Sequence, residues 1–206
     1  MKSKATWVGL ALLLAAGAAG YVVVKKPYAP DANTLERLSR SFLEDLQYKD
    51  FRSSALYHHL LDQGRFDIGQ TLEVIFAVKP ELLNILGFDV VKVDFDSSDD
   101  RARVFVRIRY KVLNRGNEVK ELDLILYWLH RHPDCPLGGH CEAGQCLNER
   151  NLPMFKPEES KNRPTELTKA TDAVYVCDAA KPKQWFMNLD STLNSKTYAD
   201  PVAPTP

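Results

Sequence analysis

The sequence predicts an α+β fold: an N-terminal transmembrane helix, then helices packed on a curved antiparallel sheet that carries a disulfide-bearing insertion. Three observations lead there. An uncharged run of 20 residues, Ala5 to Val24, stands near the N-terminus. Apolar residues then recur at helical spacing up to Gly87 and alternate with period 2 beyond it. Three of the four cysteines fall in the stretch HRHPDCPLGGHCEAGQC, His130 to Cys146.

The leader comes first. Lys2 and Lys4 precede ATWVGLALLLAAGAAGYVVV, and Lys25, Lys26 and Pro27 close it. Twenty helical residues span about 30 Å, the thickness of a bilayer's hydrocarbon core. The small residues of AAGAAG also fit a signal-peptidase site, for instance after Gly20. YVVV continues the apolar run past them, as a retained anchor does. Residues 1–26 are therefore read as a transmembrane anchor, with a cleaved signal peptide as the alternative. Lysines at both ends leave the orientation open. Residues 27–32, PYAPDA, form a linker to a domain over 33–193.

The helical half follows. Asn33 with Glu36 three positions on is a capping-box start for NTLERLSRSFLEDLQ, whose Leu35, Leu38, Phe42, Leu43 and Leu46 share one face. Asp50 is placed to cap FRSSALYHHLL, and Asp67 to cap IGQTLEVIFAV. Pro80 suits the first turn of a last short helix, PELLNIL, ended by Gly87.

Strands come next. FDVVKVDFD sets Val91, Val93 and Phe95 on one face. RARVFVRIRYKV alternates Ala102, Val104, Val106, Ile108, Tyr110 and Val112 against Arg103, Arg107, Arg109 and Lys111. VKELDLILYWLHRH has a strongly apolar Leu122–Leu124–Leu126–Trp128 face, and Ile125, Tyr127 and Leu129 make its other face apolar too. SSDD and NRGN are the turns of this meander. Residues 133–171 lack periodicity and form an insertion; DAVYVCD and KQWFMNLD resume the strand pattern, and 194–206 is a tail.

Helices followed by a meander, with LEDLQYKDF joining the first two helices and KQWFMNLD as the last strand, resemble the nuclear-transport-factor-2-like superfamily. The resemblance covers roughly Asn33 to Leu193 and rests on element order. It implies helices packed into the concave side of a bent sheet, making a cone. The superfamily includes isomerases, dehydratases, ligand carriers and interaction domains. One branch forms the periplasmic part of single-pass inner-membrane subunits in secretion machines. This chain departs from the pattern in its cysteine-bearing insertion and in lacking an obvious strand between the early helices.

Cys135, Cys141 and Cys146 are spaced C-x5-C-x4-C, and Cys177 lies on a later strand. Structural zinc sites favour short paired spacings, which are missing here, although His130, His132 and His140 complete a coordination sphere on paper. An even cysteine count behind a membrane-targeting segment, with glycines that permit tight turns, points to two disulfides and to no metal site. Three pairings exist; the spacing favours Cys141–Cys146 as a small loop, with Cys135 reaching Cys177.

Candidate site residues are few. Tyr57 and His58 on the second helix, Tyr110, Trp128 and His130 on the strands, and Trp185 on the last strand line the expected pocket. Asp94 and Asp123 with a histidine inside a cone would suggest dehydratase or isomerase chemistry; solvated strand faces are the preferred reading. The basic ridge Arg103, Arg107, Arg109 and Lys111 suits an acidic partner, or cross-strand pairing with acidic neighbours. No catalytic constellation or phosphate-cradling loop appears, and no motif calls for a cofactor. Lys+Arg and Asp+Glu stand at 27 each, which argues against a nucleic-acid-binding domain.

Two functions remain. The first is a non-catalytic interaction or scaffold domain of a single-pass protein in a bacterial inner membrane, facing the periplasm, with protein partners in an envelope complex. The second is a small-ligand binder or isomerase-like enzyme using the apolar pocket; if the leader is cleaved, the domain is secreted. A pocket filled by its own side chains favours the first, and an open one holding a buried His or Asp favours the second.

Overall fold

The computed structural model describes residues 30–97, 99–116, 118–156 and 174–194. The leader, residues 27–29 of the linker, residues 157–171 of the insertion, the first two residues of DAVYVCD and all but the first residue of the tail lie outside them. Among the described residues no helix is long and apolar enough to cross a membrane.

Helix α1 spans Pro30–Gln47, starting three residues before Asn33, inside the expected linker. Proline suits a first helical residue because its missing N–H has no intrahelical partner there. Leu35, Phe42, Leu43 and Leu46 are buried on one face, while Arg40 pairs with Glu36 one turn away at 3.0 Å on the wet face. Lys49 ends the helix in the left-handed region (φ 61°). Asp50 then caps α2, Phe51–Ala55, through Ser53 N–H at 3.0 Å.

The expected helix FRSSALYHHLL is broken in two. After α2 the chain turns through Leu56 and Tyr57, with His58 N–H donating to the Ala55 carbonyl at 3.1 Å and Met187 N–H to the Tyr57 carbonyl at 2.8 Å. His58 forms a parallel bridge with Met187, and α3 (Leu60–Gln63) begins at a new cap, His59. Pairing with the last strand outweighs the helical preference of this segment. The pairing is a single isolated bridge, outside the named strands. Helix α4, Ile68–Phe76, is capped by Asp67 as expected.

PELLNIL is not a helix. Only one 3-10 turn forms, at Pro80–Leu82, and strand β1 (Leu83–Phe95) starts at once. Leu83 and Ile85 are buried while Asn84 and Leu86 are exposed, so the segment has the period of a strand. Gly87 sits at a register shift opposite Arg109, whose guanidinium lies 3.3 Å from where a glycine Cβ would be. A second shift between Val90 and Lys92 turns Val91 outward, so Val91 does not share a face with Val93 and Phe95.

Strands β2 (Arg101–Val112) and β3 (Lys120–Arg131) complete the antiparallel meander. β4 (His140–Glu142) and β5 (Gln145–Leu147) form a separate hairpin. β6 (Gln184–Met187) pairs with β3, giving the order β1-β2-β3-β6. DAVYVCD does not join this sheet; Val174 and Val176 make single bridges to Phe155 and Gln145 instead. Helix α5, Leu189–Asn194, follows β6 and takes over its edge, with Thr192 Oγ1 accepting from Tyr127 N–H at 3.2 Å. One apolar cluster joins α1 and α4 to the inner face of the sheet through Val104, Val106, Ile108, Leu124, Leu126 and Trp128.

Candidate functional site: an outer-face cleft walled by a stapled loop

The space between helices and sheet is filled by the residues expected to line a pocket there. Trp128 has 0% exposure and meets the Tyr57 ring edge-on at 6.4 Å. The Tyr57 hydroxyl is hydrogen-bonded to Asp45 and Ser41, which ties it to α1; burial, then the Asp45 charge, raises its pKa. His58, 1% exposed, packs against Phe42 and Phe66. Burial pushes its imidazole below the usual range, and the Ala55 and Ser54 carbonyls oppose that shift. Its Nε2 and the indole N–H groups of Trp128 and Trp185 are buried without hydrogen-bond partners. Tyr110 is not part of this group. It packs on Phe76, eight positions along β2 from the Ala102–Trp128 pair, or ~26 Å at strand rise.

The open concavity lies on the other face of the sheet. It is a cleft of about 720 Å³ floored by Arg101, Arg103, Tyr127 and Leu129. Those side chains alternate with the buried Ala102 and Trp128, so the same period-2 pattern that fills the core supplies the floor. One wall is the loop Leu137–His140; another is the start of α5, with Asn188 and Ser191. At one end Lys183 Nζ reaches Asp100 at 3.0 Å, and His130 Nδ1 lies 3.6 Å from the same carboxylate. His130 stacks on Trp185 at 4.7 Å, so of the residues expected in a pocket His130 is the one that reaches this cleft with its ring partly exposed. Arg101 and Arg103 are exposed and have no side-chain partner among the described residues. Acidic and basic groups are balanced in the lining, with Asp94, Asp96, Asp100 and Glu149 facing Arg101, Arg103, Arg131 and Lys183.

Along the basic ridge, Arg107 grips Asp123 in a two-point pair of 2.7 and 3.2 Å, so these two residues take the cross-strand reading. Asp94 is held by Lys92 at 2.9 Å.

The loop wall is stapled by two disulfides, and their pairing corrects the expectation. Cys135 bonds to Cys146 and Cys141 to Cys177, with Cα separations of 5.5 and 5.9 Å. Cys141 and Cys146 are opposite each other across the β4–β5 hairpin but are not bonded together. Its turn, Ala143–Gly144, has positive φ at both residues (48° and 80°), the signature of a two-residue hairpin turn. Their side chains therefore leave the same face, Cys146 toward the buried Cys135 and Cys141 toward the segment that pairs beside β5. Gly139 has no room for a side chain, since a Cβ would stand 2.6 Å from Met154 Sδ and 3.0 Å from the Pro136 carbonyl. The Cys135, Cys146 and Cys177 sulfurs lie within 4.8 Å of one another, but all three are spent in disulfides and offer no thiolate ligand.

Polar anchors that the sequence did not single out hold the loop to the domain. Arg131, buried at the end of β3, donates to Asp62 at 3.2 Å and to the Cys135 carbonyl at 2.9 Å. Asp134 accepts from the Asp178 N–H and from Lys181; those bonds, the first above all, hold its pKa below the usual carboxylate value. His59 and His132 act alike. In each, Nδ1 accepts a backbone N–H two residues on, which places the ring proton on Nε2. That proton is donated to a distant carbonyl, His132 for His59 (3.2 Å) and Asp178 for His132 (3.0 Å). Burial first, then the Arg131 charge, lowers the His59 pKa. A turn histidine followed two residues later by a free N–H leaves no mark in a sequence, because its second partner is 73 residues away for His59.

Comparison of the chain with protein-family models, curated proteins and solved structures returned no match.

Proposed function

We propose that this chain is a non-catalytic, extracytoplasmic interaction module, held in a bacterial inner membrane by residues 1–26 and docking a protein partner of an envelope complex through the outer-face cleft. One observation carries the reading: the apolar interior is filled by Trp128, Tyr57 and His58, while a concavity on the outer face stays open, mixes apolar surface with charges of both signs in balance, and is walled by a covalently fixed loop. A surface mixing Tyr127, Leu129 and Leu137 with charges of both signs has the make-up of a non-obligate protein interface. Two disulfides favour an oxidising compartment, and the leader supplies a route to it. The order of helices, meander and final Trp-bearing strand supports placing the domain in the nuclear-transport-factor-2-like superfamily, among its interaction domains.

The experiment is photo-crosslinking in native membranes from two positions, Leu137 on the cleft wall and Val74 on the exposed face of α4. Adducts to a protein from Leu137 and not from Val74 support the module reading. No protein adduct from Leu137 overturns it. Saturable retention of a small molecule, abolished by Arg103→Ala, would move the assignment to a ligand-binding protein, for which the cleft volume is sufficient.

A further inference from the structure

The two disulfides interleave along the chain and differ in burial. Cys135 and Cys146 are fully buried, whereas Cys141 and Cys177 are half-buried. The Cys177 sulfur stands within 4.8 Å of both sulfurs of the pair to which it is not bonded, and Cys141 is not part of that trio. Backbone bonds hold the same positions without the sulfurs: Cys177 N–H donates to the Gly144 carbonyl at 3.1 Å and Cys146 N–H to the Tyr175 carbonyl at 2.9 Å. A buried disulfide is closed to a bulky reductant, since exchange requires a thiolate to reach one of its sulfurs. The Cys177 sulfur is already there.

We propose that these four residues form a thiol–disulfide exchange site in which Cys177 relays reducing equivalents from a dithiol to the buried Cys135–Cys146 bond. A thiolate of the dithiol attacks Cys141 Sγ. The Cys141–Cys177 bond breaks, and Cys177 leaves with the electron pair as a thiolate. The second thiol of the reductant resolves the mixed disulfide; the reductant departs oxidised to a disulfide, and Cys141 gains a proton. The Cys177 thiolate then attacks one sulfur of Cys135–Cys146, and the other sulfur leaves and is protonated. This second step conserves the number of disulfides and needs no co-reactant. It carries the remaining bond from a buried position to one that includes the half-buried Cys177, where a second dithiol reduces it. The buried staple of the cleft wall thus opens only after the outer one. The inference concerns the loop's chemistry and is independent of the compartment and of the docking role.

The test uses two full-chain variants that lose the same outer bond. Cys141→Ser leaves the Cys177 thiol in place; Cys177→Ser leaves the Cys141 thiol. Both are treated with dithiothreitol without denaturant, quenched by alkylation and mapped by mass spectrometry. The expected result is loss of the Cys135–Cys146 bond at least tenfold faster in Cys141→Ser than in Cys177→Ser. Equal rates overturn the relay. Brief reduction of the unsubstituted chain provides a second readout that does not depend on either variant folding. Molecules with Cys141 alkylated and Cys177 bonded to Cys135 or Cys146 support the relay, and a partly reduced pool holding only the two original pairings overturns it.

Discussion

The core and the stapled loop solve the same problem by different means. In the core, inner-face residues of β2 and β3 meet α1 and α4 in one apolar cluster, and burial of each large apolar side chain contributes roughly 1.5–3 kcal/mol. The loop has little to bury: Leu137, Leu152 and Phe155 are all exposed. It is fixed by two covalent bonds, by Arg131 and Asp134, and by two histidines whose rings each span two backbone groups. Apolar packing tolerates a shift of partners, whereas bonds of defined direction do not. The wall of the cleft is therefore the part of the molecule whose shape is set by a few identifiable groups.

The largest effect that separates the two regions is expected from Trp128→Ala, which removes the largest fully buried side chain among the described residues. It should cost about 3–5 kcal/mol in a urea melt and lower the protection of core and loop amides together. Replacing Cys135 and Cys146 together by Ser should cost about 2–5 kcal/mol, yet hydrogen exchange should quicken in residues 133–156 while the β2–β3 amides keep their protection. Gly139→Ala is expected to act in the same region at about 1–3 kcal/mol, because the Pro136 carbonyl beside it belongs to a backbone that cannot easily retreat. If it instead shifts the whole transition like Trp128→Ala, the loop and core are one cooperative unit.

Acid should sharpen the comparison from another side. His58 in the core and His59 at the loop's anchor both have folded pKa values below that of a free imidazole, about 6.5. The unfolded chain thus binds protons first, so their contribution is complete above about pH 6.5 and is lost as pH falls through the folded values. Asp134, lowered from 3.8, has the same sign at lower pH. Melting temperature at constant ionic strength should fall from pH 7.5 to 5, and a His58→Leu variant should show a shallower fall; an unchanged slope would remove His58 as a contributor. The smallest effect is expected from Asp123→Asn. Its pair with Arg107 is largely exposed, so the change should be within about 0.2–1 kcal/mol and should shrink with added salt.

How much of this was readable beforehand follows from how local each signal is. The Asp67 cap and the alternation of β2 and β3 depend on neighbours in sequence, and the structure has them where the residues indicate. Leu82, Leu83 and Leu86 imitate a helix face because the Leu83–Ile85 alternation is too short to assert itself until Val112 and Tyr110 lie opposite. His58 was read on the second helix, whereas its place in a bridge depends on Met187, far along the chain. The disulfides were legible as a pair of bonds and not as a particular pairing. Cys141 and Cys146 are neighbours both in sequence and across a hairpin, and only the approach of Cys177 beside β5 directs Cys141 away from its neighbour. The cleft was hidden for a related reason: its floor carries Arg101 and Arg103, and attention to apolar faces points inward.

The outer disulfide joins residues 36 apart, and Cys177 precedes the strand that carries Trp185 and Met187. Any single proteolytic cut between Cys141 and Cys177 would consequently leave the carboxy-terminal piece covalently fastened, its strand still seated beside β3. Such a clipped protein would run as one species on a non-reducing gel and as two fragments after reduction, a two-chain form of the domain that owes its integrity to sulfur.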